Sequence, residues 1–425
     1  MKILWITHDV LDVFISHVVG KPTRGGSWIA PLFYGISNTN LVQLAILSPV
    51  INGKQQKVII DDITYFSIPI KNGDNTKPLY AELINHYLWV VNTFKPDIIH
   101  IHGTENNFGL IRKHIPKSVP IVCSIQGIIS AYTPFLSASV VNDKLEKYNS
   151  VKNWLGKGGI KGFKKRWMKY KELENEIFKS NSFFIGRTLW DKAQLYNLNK
   201  DALYFHGEEM LRTPFESLSW DINICNRYSI FMPSAAYSIK GLHVLLKAIN
   251  ILKDEFPLIK LQVPLFNSKN NSTYYNFLFG EDYRNYINSL IKNLGLEKNI
   301  VFHGRLSASE MAEKMHKSHV FVLPSFIDNS PNSLGEAMSI GLPTITSSVG
   351  GIFSIVKDGE SSLLFPSGDY CYLAEQIKSI FSDDCLTNKI SLNGKKVARV
   401  RHDKEIIPRQ YIEIYKNLIL SSHNI

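Results

Sequence analysis

The chain has 425 residues, 44% of them hydrophobic and 12% aromatic, which excludes a disordered polypeptide and favours two domains of ordinary size. Nowhere do about 18 mostly apolar residues occur together, so a transmembrane helix is not expected, and the four cysteines (Cys123, Cys225, Cys371, Cys385) lack zinc or redox spacing, as in a reduced cytosolic protein. A net charge of +11 asks for an anionic partner without choosing among nucleic acid, acidic lipid and phosphorylated substrate.

Lys2 to Thr7 is an apolar run ending in His8-Asp9 and predicts the first strand of a Rossmann-like domain. No G-x-G-x-x-G follows, so dinucleotide binding is not expected; Gly25-Gly26 come later, ahead of a helix-like SWIAPLFYGI segment. Pro96 to His102, PDIIHIH, reads as a strand with His100 and His102 on one face. No third ligand completes a metal site, so His100 is expected to be a hydrogen-bonded strand residue and His102, ahead of Gly103-Thr104, to line a cleft. Pro120 to Ile125 is the next strand, ending in Gln126-Gly127. From Lys144 to Lys171 ten basic residues stand against one acid, interleaved with Trp154, Leu155, Ile160, Phe163, Trp167 and Met168. That pattern suits an interfacial segment on anionic lipid, the alternative being a solvated basic helix and loop. No base-reading module accompanies it, so nucleic acid is not an expected partner. Ser182 to Ile185 predicts a strand leading to Gly186-Arg187-Thr188, where Arg187 either faces a phosphate or anchors the following helix. FHGEEMLR, with His206, Glu208, Glu209 and Arg212, follows without an evident mechanism.

Thr213 to Asn226, polar and aperiodic, is the expected linker. Tyr228 to Met232 opens a second Rossmann-like domain, and Lys240-Gly241 close the loop before a helix from Leu242 to Leu252, where a lysine can neutralise a pyrophosphate. Lys260 to Pro264 and Ile300 to Phe302 read as strands separated by a polar loop at 267–276, and Ser309 is expected to cap the helix after His303-Gly304-Arg305. Val320 to Leu323 is a buried parallel strand by its unbroken apolar run. Ser330 suits an N-cap and Pro331 the first helical position; Gly341 and Pro343 end the helix after Ile340, and Thr344 to Thr346 is the next strand. This helix N-terminus lies at the carboxyl ends of parallel strands, where amides favour phosphate. Glu336, about one and a half turns in, can accept two hydrogen bonds from a vicinal diol such as ribose, the alternative being a solvated glutamate. Ser362 to Phe365 is a strand, Tyr370 to Phe381 a helix, and His402 to Leu420 a final amphipathic helix.

Asp328, seven residues, Glu336, then Ala-Met, Gly-Leu-Pro and Gly350-Gly351 together resemble the signature of retaining glycosyltransferases of the GT-B fold, glycosyltransferase family 4, of the bacterial surface-polysaccharide type. GRTLWDKA resembles a segment of bacterial members. The family pattern opens with Glu, so Asp328 is a shortened first acid. The resemblance implies an α/β architecture of two facing Rossmann-like domains with a deep cleft: residues 1–213 for the acceptor, 227–397 for the nucleotide-sugar, and a helix at 402–421 packing back on the first. It implies catalytic roles for Lys240, Asp328 and Glu336, with Glu336 holding the ribose. Donor contacts are implied for Gly26, Arg187, Gly241, Asn329, Ser330, Pro331, Asn332, Ser333, Gly350 and Gly351, and acceptor or sugar contacts for His102 and Gln126. Gln126 stands where many members carry His, and a neutral amide can bond a hydroxyl but cannot transfer its proton. The family's upstream arginine is replaced by Ser234 or Ala235, which either lowers donor affinity or requires compensation from Arg187 or Arg305. The implied reaction moves a sugar, with retention and without metal or cofactor, from a UDP-, GDP- or ADP-sugar to a hydroxyl of a glycan or lipid-linked acceptor. The implied setting is lipopolysaccharide, capsule or exopolysaccharide synthesis, in the cytoplasm or peripherally on the inner face of the plasma membrane through 144–171. A sugar-nucleotide epimerase of the same fold and a non-catalytic nucleotide-sugar-binding protein are the alternatives.

Overall fold

Short apolar runs alternate with amphipathic helices along most of the chain, and in the computed structural model they assemble two mainly parallel sheets. The structure describes residues 1–18, 28–140, 147–148, 151–155, 159–235, 237–264 and 282–422. The Gly25-Gly26 pair, the 267–276 loop and part of the basic stretch lie outside the described residues.

The first sheet holds β1 (Lys2–Ile6), β2 (Gln43–Ile51), β3 (Gln56–Ile60), β4 (Ile63–Ile70), β5 (Ile98–His102), β6 (Ile121–Ser124), β7 (Phe183–Gly186) and β8 (Leu203–His206), in the order β3-β4-β2-β1-β5-β6-β7-β8. All pairings are parallel except β3 with β4. The second sheet holds β9 (Ser229–Phe231), β10 (Lys260–Val263), β11 (Ile300–Phe302), β12 (Val320–Leu323), β13 (Thr344–Ser347) and β14 (Leu363–Phe365), in the order β11-β10-β9-β12-β13-β14, all parallel. In each sheet the first strand is central and the chain later crosses to its other side. That leaves a crevice at the carboxyl ends of β1 and β5 in one sheet and of β9 and β12 in the other, where open α/β sheets bind ligands. β12 and β13 are buried along their whole length, the burial that helix layers on both faces impose.

Two compact units form, Met1–Ala131 with Met168–Leu211 and His402–Ile425, and Tyr132–Trp167 with Arg212–Arg401. Residues 132–167 thus group with the second unit, which a single cut at 213 does not foresee. Ala138 and Val140 join the core around Leu245 and Ile249, Ser238 Oγ donates to Leu136 O at 2.7 Å, and His243 Nε2 lies 3.0 Å from Ala138 O. The terminal helix Ile406–Ser422 packs Tyr411, Tyr415 and Leu418 against Ile3, Trp5 and Phe33 within the first unit.

Three local expectations need correction. Ser307, not Ser309, caps the Ala308–His316 helix, in a capping box with Glu310 that the S-x-x-E spacing provides. Pro331, not Ser330, is the N-cap of the Asn332–Ile340 helix: its ψ of 115° is extended, so the helix begins one residue later. The 213–226 stretch is packed rather than a free linker. Phe215 and Trp220 fill the core of the second unit, and Trp220 donates its backbone N–H to Ile340 O and Nε1–H to Ser318 O, both at 2.8 Å.

Candidate functional site

The loops leaving β9 and β12 meet at the switch point of the second sheet. Phe326 N–H donates to Ile239 O at 2.8 Å, and Gly241 turns the chain into the Leu242–Leu252 helix with φ of 77°. A β-carbon on Gly241 would lie 1.9 Å from Pro324 O, so no other residue lets the two loops approach this closely. The approach brings Lys240 Nζ to 2.9 Å from Asp328 Oδ2. The loop after β13 closes a third side: Gly350 has φ of 50° and would put a β-carbon 2.1 Å from Asp328 O, while Gly351 N–H donates to that oxygen at 3.0 Å. The close approach that this glycine pair permits is therefore to the Asp328 backbone, and its effect is to fix the loop carrying the acid.

Asp328 and Asn329 are buried, and Ser330, Pro331, Asn332 and Ser333 are half-buried at the start of the Asn332–Ile340 helix, which no side chain caps. Gly341 ends it with φ of 88°, as its position in the sequence predicts. Glu336 is 3% exposed, which rules out the solvated glutamate. Its carboxylate is gripped by Arg212, with Nε donating to Oε1 at 2.7 Å and a terminal N–H to Oε2 at 2.9 Å. Burial pushes the Glu336 pKa up, and the hydrogen bonds and charge of Arg212 pull it back. The Arg212 guanidinium is itself held 4.9 Å from the Phe215 ring centroid and 3.6 Å from Met311 Sδ.

In the first unit the outcome differs from expectation. Arg187 is buried and its NH1 lies 2.7 Å from Glu209 Oε2; its NH2 donates to Gln126 Oε1 at 3.0 Å, and Gln126 Nε2 donates to Glu209 Oε1 at 2.7 Å. Arg187 is thus balanced by Glu209 inside its own unit, and Gln126 has both ends of its amide engaged in the same triad. Arg305 lies exposed after β11. His102 does not line an open surface. It is buried with its ring centroid 4.0 Å from that of His100 and 4.1 Å from that of Trp5, and burial with the neighbouring His100 and His8 holds its pKa well below the usual range. His100 is hydrogen-bonded as expected, to Tyr415 OH at 2.8 Å and Ser124 Oγ at 2.7 Å, and burial pushes its pKa down to about 3.

Two acids carry structure here that the sequence reading does not single out. Glu174, on the Gly159–Ser180 helix, accepts the Ile129 N–H at 2.8 Å and the Ser130 N–H at 2.9 Å, and burial pushes its pKa up to about 7. Glu105 accepts the Gly127 N–H at 3.2 Å beside it. Neither follows a recognisable motif, because each is defined by a loop brought to it from another strand. Among the described residues no three His, Cys, Asp or Glu side chains form a metal-binding group.

Residues 219–397 match the family described as Glycosyl transferases group 1. The capsular polysaccharide biosynthesis glycosyltransferase CapM of Staphylococcus aureus is 25% identical over 184 residues, 43% of this chain and 44% of that protein. The chain thus spans less than half the length of the curated relatives it matches. Among solved structures, sucrose-phosphate synthase from Thermosynechococcus elongatus superposes with a TM-score of 0.71 at 15% identity, covering 99% of this chain and 100% of that one. HepE of Anabaena, in complex with UDP-glucose, gives 0.66 at 17% identity, covering 98% and 100%. At such identities the likeness shows the fold, and the fold is GT-B. The matched residues include Lys240, Asp328, Glu336 and the two glycine contacts; Arg212, which grips Glu336, lies just ahead of the matched start.

Proposed function

We propose that this chain is a retaining, metal-independent glycosyltransferase that moves a sugar from a nucleoside-diphosphate donor to a hydroxyl of a glycan or lipid-linked acceptor in cell-surface polysaccharide synthesis. The observation that carries the reading is the buried, arginine-held Glu336 on an uncapped helix at the switch point of a group 1 glycosyltransferase domain. A carboxylate so placed accepts from ribose hydroxyls while the helix start and Lys240 take the diphosphate charge. Asp328 orients Lys240 through their 2.9 Å contact. Because Ser234 and Ala235 supply no cation and Arg187 is engaged with Glu209, leaving-group stabilisation falls on Lys240 and backbone amides. The departing phosphate takes the acceptor proton on the front face, and no protein nucleophile is assigned. HepE, of the same fold, binds UDP-glucose, which makes UDP-sugars the first donors to try, and the capsular role of CapM supports a surface-polysaccharide product.

Peripheral contact with anionic membrane belongs to the same reading. Trp154 is 81% exposed and Leu155 55%, and Lys161, Lys164, Lys165, Arg166 and Lys169 are exposed on the helix that follows. No helix among the described residues is long and apolar enough to cross a membrane.

A thermal-shift screen with UDP-, GDP- and ADP-sugars tests the donor, since a ligand of the native state raises its melting temperature. Glu336→Gln is expected to weaken donor binding by about tenfold or more, and Lys240→Ala to lower turnover by about 100-fold with little change in melting temperature. Full transferase activity in both variants defeats the assignment. One observation favours the non-catalytic alternative, the engagement of Arg187 and Gln126 with Glu209, and donor binding without transfer to any acceptor is its signature.

A further inference from the structure

We infer that Arg212 is a positioning residue for the donor: its forked guanidinium fixes the Glu336 carboxylate as an acceptor for the nucleotide's ribose diol. The inference rests on the donor-site reading above. A carboxylate has about four acceptor positions, and the two bonds from Arg212 take one on each oxygen, which leaves a fixed pair for a vicinal diol. The arginine is locked in turn by the Phe215 ring and Met311 Sδ, so the carboxylate has a rigid partner on its far side. Among the described residues Arg212 is the charged group bonded to Glu336. Two further charged groups near this helix come from Asp384–Arg401: Lys395 sits by Gly341 at the far end, and Arg401 reaches Ser330 Oγ at 3.4 Å and Ser354 O at 3.5 Å at the near end; the Ala308–His316 helix, which also packs on it, carries Glu310, Glu313, Lys314 and His316.

The chain course adds a second observation. After a first passage through Tyr132–Trp167, the polypeptide re-enters the second unit at Arg212 and leaves it at Arg401. The first and last arginines of that passage both end on the 330–336 segment, one on its buried acid and one on its opening serine. A pair retained only for stability needs no such convergence on one loop and helix start.

The test uses the full chain and calorimetric titration with whichever of UDP, GDP or ADP raises the melting temperature most, and with its 2′,3′-dideoxy analogue, at pH 6 and pH 8.5. Wild type is expected to prefer the ribose form at least tenfold at both pH values. Arg212→Met is expected to lose that preference, more at pH 6 than at pH 8.5 because burial then raises the carboxyl's pKa without Arg212 to lower it, while affinity for the dideoxy analogue stays within twofold. Arg212→Lys, which keeps one charge, is expected to fall between them and decides the matter should the methionine variant not fold. An unchanged ribose preference in the variants overturns the inference, as does an equal loss for both ligands, which marks a purely structural pair. Failure of wild type to bind any of the three diphosphates overturns the donor-site reading itself and the inference with it.

Discussion

At Gly241 and Gly350 positive φ angles of 77° and 50° coincide with carbonyl oxygens 1.9 and 2.1 Å from where a β-carbon would stand. The left-handed conformation alone costs an L-residue about 1–2 kcal/mol, whereas a β-carbon that close to a backbone carbonyl cannot be accommodated without movement. Together they force a shift of the Pro324 or Asp328 backbone. Gly241→Ala and Gly350→Ala are therefore expected to lose about 2–4 kcal/mol and to weaken donor binding. The control Gly359→Ala, with φ of 67° and nothing within 4 Å, is expected to lose about 1 kcal/mol and bind donor normally. Urea unfolding and donor titration check all three, and equal losses at the three positions contradict the crowding argument. In the sequence Gly241 stands out as the close of a loop and Gly350 as part of the family signature. What approaches them is not legible there, because the Pro324 and Asp328 carbonyls arrive on a different strand–loop segment.

The element with most of its properties written locally is the Asn332–Ile340 helix. Its stop at Gly341 and the buried strands on either side follow from backbone preference and apolar runs, and only its first residue is displaced, by the extended ψ of Pro331. The Gly159–Ser180 helix is the opposite case, showing in the sequence as charge while its structural weight rests on buried Glu174. The Glu174 pKa of about 7 stands above its ordinary 4.5, so between those values the folded chain holds a proton that the unfolded chain has released. Its contribution to stability is then full below about pH 4.5 and is lost as pH rises through 7. Glu174→Gln removes this titration. The unfolding free energy of wild type minus that of the variant is expected to fall by about 2–3 kcal/mol from pH 5 to pH 8, the buried histidines cancelling in the difference. Parallel pH profiles for the two proteins contradict the assignment.

For the molecule as a whole, the +11 charge and the exposed Trp154 and Leu155 beside a basic helix make an anionic bilayer the expected surface partner. Cosedimentation is expected with vesicles of phosphatidylglycerol and phosphatidylcholine and not with phosphatidylcholine alone. Replacing Lys164, Lys165 and Arg166 by serine is expected to lower that partitioning on the order of 100-fold, at about 1 kcal/mol per charge. Equal binding to neutral vesicles, or none to either, removes the membrane from the reading. The sequence by itself determined most of the strands, though not β2, β3, β4 or β8, and where the Asn332–Ile340 helix stops and that Glu336 rides on it, since these depend on side-chain periodicity and backbone conformation over a few residues. Tertiary structure alone decided the partners: Arg212 for Glu336 across 124 residues, Lys240 for Asp328 across 88, Glu209 for Arg187, and the packing of Ala138, Val140 and Trp220 into the second unit. The reason is that a charge must be balanced by whatever the sheet order sets beside it, and sheet order is not encoded in the spacing of residues along the chain.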